Sequence, residues 1–316
     1  MSIRQVRGGG GLRLAVFERG DPAAPTVLLV HGYPDTHALW DEVASLLAAT
    51  FHVVAYDVRG AGASEVPRRR LDYRLPLLAE DLFAVADAVS PDRPVHVVGH
   101  DWGSIQAWEP VTAPGAGRRI ASYTSISGPC LDHVGHWIRE RHRSPTPRAL
   151  RQLLTQCLHS WYVAAFHLPA VAPAVWRLGL ASRWGAALRR VEGVAPRPGH
   201  PAPTLADDAV RGIELYRANI LQVLLDPRQR RTQVPVQVIQ PTRDHYVLPG
   251  FLDGLERWAP RLWRRELTAK HWAPLTHAPE MARMVAEFVA HIGGAPPTSA
   301  LARAAVSRAA VARRAS

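Results

Sequence analysis

The chain has 316 residues, of which 47% are hydrophobic, and its formal net charge is +11. A chain of this length and composition can bury the core of one large α/β domain, with or without an inserted second unit. It has no apolar run long enough to cross a bilayer, its first residues lack the apolar stretch of a signal sequence, and two cysteines make a disulfide framework improbable. No cluster of cysteines and histidines has zinc-ligand spacing. We therefore expect a cytoplasmic protein without a metal site.

The positive charge does not by itself indicate a nucleic-acid partner. Lys270 is the only lysine, so the basic residues are almost all arginine, which is typical of a GC-rich genome. Residues 295–316 are rich in alanine and arginine and contain no acidic residue. This composition predicts a disordered, solvated tail. A tail that docks on a membrane or a partner is the alternative.

Short apolar segments alternate with helical patterns, which is typical of βαβ units and a mainly parallel sheet. An early antiparallel strand is predicted at LRLAVFERG (12–20). Further strands are predicted at TVLLVHG (26–32), HVVAYDVRG (52–60), PVHVVGHD (94–101), IASYTSIS (120–127), PVQVIQPTRD (235–244) and RRELTAKHW (264–272). Helices are predicted from Pro76 to Val89, directly after Asp101, and from Pro279 to Ile292.

The strand pattern stops between about Pro129 and Arg231. This region has helical patterns rich in tryptophan and leucine, and the Pro/Gly-rich segment VAPRPGHPAPT (194–204) interrupts them. A long loop of this kind inside a compact domain is usually functional or mobile. The predicted organisation is an α/β core with an inserted helical cap. The ranges are 1–128 and 232–294 for the core, 129–231 for the cap and 295–316 for the tail.

The segment Gly99-His100-Asp101-Trp102-Gly103 has the spacing of a G-x-S-x-G nucleophile elbow, with Asp101 in the place of the serine. The elbow needs small residues on both sides of the nucleophile because its backbone is strained and closely approached. Asp101 could instead simply cap the helix that follows. Ser104 is rejected as a rival nucleophile, because Trp102 and Gln106 stand where it would need glycines.

Partners for Asp101 occur downstream in the order nucleophile, acid, base. Asp244 ends one predicted strand, and His271 ends the last one, where the base is expected; His271 is preferred to His277. The segment HGYP (31–34) follows the strand predicted to lie beside the nucleophile strand. The backbone N–H groups of Tyr33 and Trp102 are therefore candidates for a two-donor oxyanion hole.

A carboxylate nucleophile predicts a particular chemistry. Attack of a serine on a saturated carbon would leave an ether, which water does not readily cleave. Attack of Asp101 on the same carbon leaves an alkyl ester that water can hydrolyse at the enzyme's own carbonyl. His271, oriented by Asp244, would then activate the water. The sequence thus predicts substitution at an sp³ carbon through a covalent intermediate.

Several motifs together resemble the α/β-hydrolase-fold epoxide hydrolases. They are HGYP, DVRGAGAS (57–64), GHDWGS, PTRD and KHWAPLTHAPE. GHDWGSIQAW and the cap segments are most similar to the hydrolase half of bacterial proteins in which such a domain precedes a short-chain dehydrogenase. The resemblance implies an α/β-hydrolase fold, no cofactor, and two cap tyrosines that protonate the epoxide oxygen. Tyr162 in WYVAAFHLP and Tyr216 in ELYRANI match those positions.

The resemblance predicts an epoxide hydrolase that converts an apolar epoxide to a vicinal diol with water. The residues expected to line the substrate site are Pro34, Trp102, Trp161 and Trp272. A haloalkane or haloacetate dehalogenase is the alternative enzyme, although Tyr33 and the HDWG elbow fit those families less well. A second alternative is a non-catalytic ligand-binding protein of the same fold. The sequence predicts no nucleic-acid partner and leaves a homodimer open.

Overall fold

A computed structural model describes residues 2–306 and is built on one eight-stranded sheet. The strands are β1 (Ser2–Arg7), β2 (Arg13–Arg19), β3 (Thr26–Val30), β4 (His52–Tyr56), β5 (Val95–His100), β6 (Ile120–Ile126), β7 (Val236–Pro241) and β8 (Leu262–Leu267). Their spatial order is β1-β2-β4-β3-β5-β6-β7-β8. Strands β1 and β2 are antiparallel to their neighbours, and all other pairs are parallel. The predicted α/β class with a mainly parallel sheet is confirmed.

Helices cover both faces of the sheet, which is why every residue of β3, β4 and β5 is buried. The flanking helices are α1 (Asp41–Leu47), α2 (Leu75–Val89), α3 (Trp102–Val111), α10 (Ala273–Thr276), α11 (Ala278–Ile292) and α12 (Ser299–Ala304). Side chains of β3 alternate between two separate hydrophobic clusters. Leu28 packs in the cluster that includes α2 and α3, and Leu29 packs in the cluster that includes α1 and α11. Strand β3 therefore buries both of its faces.

The chain between β6 and β7 forms a helical insertion, where the sequence predicts a cap. It contains α4 (Leu131–Arg143), α5 (Pro147–His159), α6 (Trp161–His167), α7 (Val171–Val175), a π-helical stretch (Trp176–Leu180), α8 (Ala181–Val191) and α9 (Leu205–Leu225). Within the described range 2–306, no single helix has the length and apolarity to cross a membrane. Among the described helices, only α6 and the segment Val171–Val191 taken together are long and apolar enough, and they are bent by 101° relative to each other.

Part of the predicted disordered tail is ordered, so the prediction is wrong for residues 299–306. Helix α12 buries Leu301, and the backbone N–H of Val306 donates a hydrogen bond to the carbonyl oxygen of Leu262 in β8. One buried leucine and an edge-strand contact are enough to hold this short helix against the sheet. Residues 307–316, the rest of the predicted tail, lie outside the described residues.

Candidate active site

Asp101 occupies a sharp turn between β5 and α3. Its backbone has φ 53° and ψ −123°, a strained conformation for a residue with a Cβ. The close approach of neighbouring backbone explains the glycines of the motif. A Cβ at Gly103 would lie 2.0 Å from the carbonyl oxygen of Val30, and one at Gly99 would lie 2.6 Å from that of Gly103. The expected elbow geometry is therefore present, and the strain argues against Asp101 being a simple helix cap.

Asp101, Asp244 and His271 converge at the carboxyl edge of the sheet. His271 Nδ1 lies 3.0 Å from Asp244 Oδ2 and 3.1 Å from Oδ1, while Nε2 lies 3.6 Å from Asp101 Oδ2. The sequence pattern suggested that Asp244 and His271 end strands, and this is wrong. Strand β7 ends at Pro241 and β8 ends at Leu267. Both residues belong to the loops that follow, which lets their side chains turn back over the sheet edge.

The two rejected candidates have structural positions instead. Ser104 is fully buried and its hydroxyl contacts the side chains of Tyr123 and Ser125 and the carbonyl oxygen of Gly128. His277 immediately precedes α11, and its Nδ1 contacts the hydroxyl of Thr276. Neither side chain is placed to react at Asp101.

The electrostatics of the three groups are strongly coupled. Burial would raise the pKa of Asp244, but the charge and hydrogen bond of His271 and the backbone N–H of Tyr246 outweigh it and lower the pKa to about 2. Burial would likewise lower the pKa of His271, but the carboxylates of Asp244 and Asp101 outweigh it and raise the pKa to about 10. The imidazole is therefore charged at neutral pH.

One predicted oxyanion donor already contacts Asp101. The backbone N–H of Tyr33 donates to Asp101 Oδ1 at 2.8 Å. This loop follows β3, the neighbour of β5, and is held by His31, whose Nε2 accepts a hydrogen bond of 2.9 Å from the backbone N–H of Val58. The backbone N–H of Trp102 lies in the first turn of α3, where a helix leaves its amides without internal acceptors.

A cavity of about 620 Å³ lies between the sheet edge and the helical insertion. Asp101 and His271 line it from the core side, and Tyr162 and Tyr216 line it from α6 and α9. The centroids of the two tyrosine rings are 6.1 Å apart. Burial raises the pKa of both phenols well above the usual value, and the nearby Asp101 charge adds to the shift. Both hydroxyls are therefore protonated at neutral pH.

The remaining lining of this cavity is mainly apolar and aromatic. Pro34, Trp161 and Trp272 line it, as the sequence suggested. Trp102 does not, so that expectation is wrong for its side chain. Its indole is buried with its ring centroid 4.8 Å from that of Tyr216, and it lines a separate small pocket below the cavity. The side chain that follows Asp101 in the sequence therefore lies outside the cavity that Asp101 lines.

Sequence reasoning missed a further phenol at the site. Tyr246 lines the cavity, and its ring lies 4.7 Å from that of His271 and 5.7 Å from that of Tyr162. Burial raises its pKa to about 12. Its position two residues after Asp244 is the signal that could have identified it, because the turn that positions the acid also positions its close neighbours.

Sequence reasoning also missed a buried link between the insertion and the core. Asp35 Oδ1 lies 2.8 Å from Nε2 of His200, in the loop between α8 and α9, and Asp35 Oδ2 accepts a hydrogen bond of 2.9 Å from Nε1 of Trp272. All three side chains are buried. We call this contact the Asp35 latch. It connects the long loop of the insertion to the residue next to His271.

The fold and the site together define an α/β hydrolase. The mainly parallel sheet carries an aspartate at the turn after β5 and a histidine-aspartate pair at the same edge, and a helical insertion covers that edge. A family model described as alpha/beta hydrolase fold matches residues 25–144. Epoxide hydrolase A of Mycobacterium tuberculosis is 30% identical over 250 residues, which cover 78% of this chain and 70% of that protein. The chain belongs to the α/β-hydrolase-fold epoxide hydrolase family.

Other relatives agree on the fold and differ in length. The protein named Probable oxidoreductase EphD of Mycobacterium tuberculosis is 42% identical over 312 residues, which cover 96% of this chain and 52% of that protein. The chain thus spans about half the length of that relative. Two solved structures share the fold at 24% identity. An epoxide hydrolase from metagenomes of hot environments gives a TM-score of 0.73 over 91% of this chain and 98% of its own. The epoxide hydrolase VrEH1 of Vigna radiata gives a TM-score of 0.70 over 92% of this chain and 98% of its own.

Proposed function

We propose that this protein hydrolyses an apolar epoxide to a vicinal diol through a covalent ester on Asp101. The observation that carries the proposal is the pairing of a carboxylate at the elbow with two protonated phenols across one apolar cavity. A carboxylate can attack a saturated carbon, and a phenol can supply the proton that an epoxide oxygen needs as its C–O bond breaks. No cofactor is needed for either step.

In the first half-reaction Asp101 Oδ2 attacks one epoxide carbon. Oδ1 is the oxygen already held by the Tyr33 N–H, so Oδ2 is the one free to react. The electron pair of the breaking C–O bond goes to the epoxide oxygen, which takes a proton from Tyr162 or Tyr216. The products are a hydroxyalkyl ester on Asp101 and one tyrosinate.

Ester formation then prepares His271 for the second half-reaction. The ester carries no charge, so one of the two carboxylates that raise the pKa of His271 is removed and its pKa falls. The imidazolium can give up its proton, which restores the phenol through water in the cavity. Neutral His271 removes a proton from a water molecule, and that water attacks the ester carbonyl of Asp101.

The oxyanion formed on Asp101 would be stabilised by the backbone N–H groups of Tyr33 and Trp102. One such donor is typically worth about 3 kcal/mol of transition-state stabilisation. Collapse of the tetrahedral intermediate breaks the ester C–O bond, and the leaving alkoxide takes the proton held by His271 to give the diol. The carboxyl proton left on Asp101 then passes to His271, which restores the carboxylate and the imidazolium. Asp244 acts on His271 by fixing the ring and stabilising its charge, and does not touch the substrate.

Dehalogenation is the competing activity of the same nucleophile. A halide leaving group needs N–H donors beside the reacting carbon and does not need protonation. The indole of Trp102, the donor next to the nucleophile in sequence, lies outside the cavity with its ring against Tyr216. The phenols of Tyr162 and Tyr216 line the cavity together with Asp101. A phenol can protonate an epoxide oxygen, so this lining favours an epoxide substrate. A non-catalytic ligand-binding role is disfavoured because all three reacting side chains are present and oriented.

Turnover assays on matched substrates test the proposal. Aromatic, terpene and fatty-acyl epoxides are offered beside haloalkanes and haloacetate, with diol and halide measured separately. We expect diol formation that is lost in Asp101→Ala and kept in Asp92→Asn, a substitution at an exposed turn before β5. Halide release without diol formation would support the dehalogenase instead, and loss of neither product in Asp101→Ala would reject this site.

Three broader proposals accompany the activity. We place the core at residues 1–128 and 232–294 and the cap at 129–231, supported by the absence of sheet strands between Ile126 and Val236 in the described chain. The likeness to the hydrolase half of bacterial fusions with short-chain dehydrogenases is supported by the match to about half of a relative named as an oxidoreductase. A cytoplasmic location is supported by Cys130 and Cys157, which are both free thiols.

A further inference from the structure

Helix α5 of the insertion turns its apolar side to solvent. Leu150, Leu154 and Leu158 recur every fourth residue and so form one stripe along the helix. Leu154 is 62% exposed and Leu158 is 66% exposed. The opposite side, with Ala149 and Gln156, is the buried one. An amphipathic surface helix normally buries its apolar stripe, so this orientation needs a partner outside the described chain.

The stripe continues into an apolar patch around the mouth of the catalytic cavity. Trp161 at the start of α6 is 69% exposed, and Leu178 in the π-helical stretch is 85% exposed. Leu158, Trp161 and Val175 line the cavity and are also exposed, so they join the stripe to its rim. We call this surface the insertion patch; it consists of Leu150, Leu154, Leu158, Trp161, Val175 and Leu178.

The segment that carries the insertion patch is strongly cationic. Residues 141–191 contain eight arginines and no aspartate or glutamate. Among the described residues only one of the eight, Arg141, forms an ion pair, with Asp253. Arg148 and Arg151 are exposed on α5 beside the leucine stripe, and Arg177 is exposed next to Leu178. An apolar surface bordered by uncompensated arginines attracts an anionic apolar partner.

We propose that the insertion patch docks on the surface of an anionic phospholipid bilayer. Leucine and tryptophan side chains can enter the boundary between headgroups and acyl chains, while the arginines beside them reach the phosphates. A second copy of this chain is disfavoured, because the segment would meet the same unpaired positive charge in its partner. On an anionic bilayer, in contrast, each of these arginines can pair with a lipid phosphate and so strengthens binding.

Docking in this orientation sets the cavity mouth against the membrane. Leu158 and Trp161 belong both to the patch and to the cavity lining, so an apolar molecule dissolved in the bilayer can pass into the cavity without crossing water. This consequence rests on the proposed function and assigns the substrate class as a membrane-dissolved epoxide. The docking itself does not depend on the activity and can be measured separately.

Cosedimentation with vesicles tests the docking on the full chain. One set of vesicles contains phosphatidylcholine alone, and the other contains phosphatidylcholine mixed with phosphatidylglycerol. The apolar variant is Leu150→Gln/Leu154→Gln/Leu178→Gln, and the charge variant is Arg148→Gln/Arg151→Gln; none of these residues lines the cavity. The matched controls replace exposed residues elsewhere. They are Leu46→Gln/Leu71→Gln/Leu225→Gln and Arg68→Gln/Arg118→Gln.

We expect wild type and both controls to bind the anionic vesicles and to bind phosphatidylcholine weakly. Loss of two arginines from an anionic surface should weaken partitioning roughly thirtyfold, and loss of three inserted leucines at least about tenfold. Both patch variants should turn over a water-dissolved epoxide as wild type does. That assay separates a failure of docking from a failure of the proposed activity.

Three results would overturn the proposal. The first is that wild type fails to bind anionic vesicles. The second is equal binding by wild type and both patch variants, which would assign lipid binding to another part of the chain. The third is a wild-type oligomer, seen by size-exclusion chromatography, that the apolar variant dissociates while vesicle binding is absent, which would make the patch a protein interface.

Discussion

Asp101 Oδ2 and His271 Nε2 lie 3.6 Å apart, too far for a good hydrogen bond and close enough for a strong ionic interaction. At this distance His271 does not hold Oδ2 in a close hydrogen bond. The ionic interaction makes the charge of His271 depend on the charge of Asp101. In the proposed mechanism the same pair of atoms serves the attack first and the activation of water afterwards.

Removal of the Asp101 charge should lower the pKa of His271. Because the two carboxylates raise that pKa to about 10, the wild-type imidazole should stay protonated below about pH 10 and lose its proton above it. Asp101→Asn resembles the neutral ester and should titrate at lower pH. NMR titration of histidine-labelled protein measures both values, with His142→Asn identifying a surface signal as control. Equal His271 titration in wild type and Asp101→Asn would contradict the coupling.

Loss of the cap phenols should remove proton delivery. Tyr162→Phe and Tyr216→Phe should each reduce kcat for epoxide opening, and the double variant should lose most activity, because a general acid typically contributes about 100-fold or more. Tyr73→Phe is the control, since that phenol is buried away from the cavity against Gly60. Single-turnover kinetics report ester formation directly. Full activity in the double variant would assign proton delivery to another group, with Tyr246 as the first to examine.

Breaking the Asp35 latch should loosen the insertion from the core. His200→Leu leaves the buried Asp35 carboxylate with one of its two partners, and an unsatisfied buried group of this kind costs about 1–3 kcal/mol. Urea unfolding should therefore show a lower free energy of unfolding than in wild type or in His142→Leu, a change at an exposed histidine of the insertion. Unchanged stability would mean that the contact is not a structural link.

The elbow should not tolerate a side chain at Gly103. Gly103→Ala places a Cβ 2.0 Å from the carbonyl oxygen of Val30, so the start of α3 must move away from the end of β3, and we expect a loss of roughly 4 kcal/mol or failure to fold. Gly117→Ala meets no atom within 4 Å and should unfold as wild type does. Equal stability of the two variants in denaturant would show that the turn adapts, and that the glycines are not required by packing.

The convergence of the three candidate residues could be predicted from the sequence because their positions follow from topology. Carboxyl ends of parallel strands meet at one sheet edge, so Asp101, Asp244 and His271 come together whatever the exact strand ends are. The Asp35 latch could not be predicted in this way. Asp35 and His200 are 165 residues apart, and no local pattern links a loop of the insertion to the turn after β3.

Hydrophobic periodicity has a comparable limit in the insertion. It identifies the leucine stripe of α5 but does not tell whether the stripe faces the protein or the solvent, because that depends on what packs against the helix. The side chain of Trp102 shows the same limit at a single position. Its place next to Asp101 suggested a substrate contact, but its ring lies against Tyr216 and outside the cavity.

Isotope labelling in a single turnover tests the covalent mechanism most directly. With enzyme in excess and an epoxide in heavy-oxygen water, the new oxygen of the diol comes from Asp101, and the water oxygen stays on that side chain. We expect a labelled Asp101 peptide and an unlabelled diol, with an alkyl-enzyme adduct accumulating in His271→Gln, where hydrolysis stalls. A labelled diol with unlabelled Asp101 and no adduct would mean that water attacks the epoxide directly, and would contradict the role assigned to Asp101.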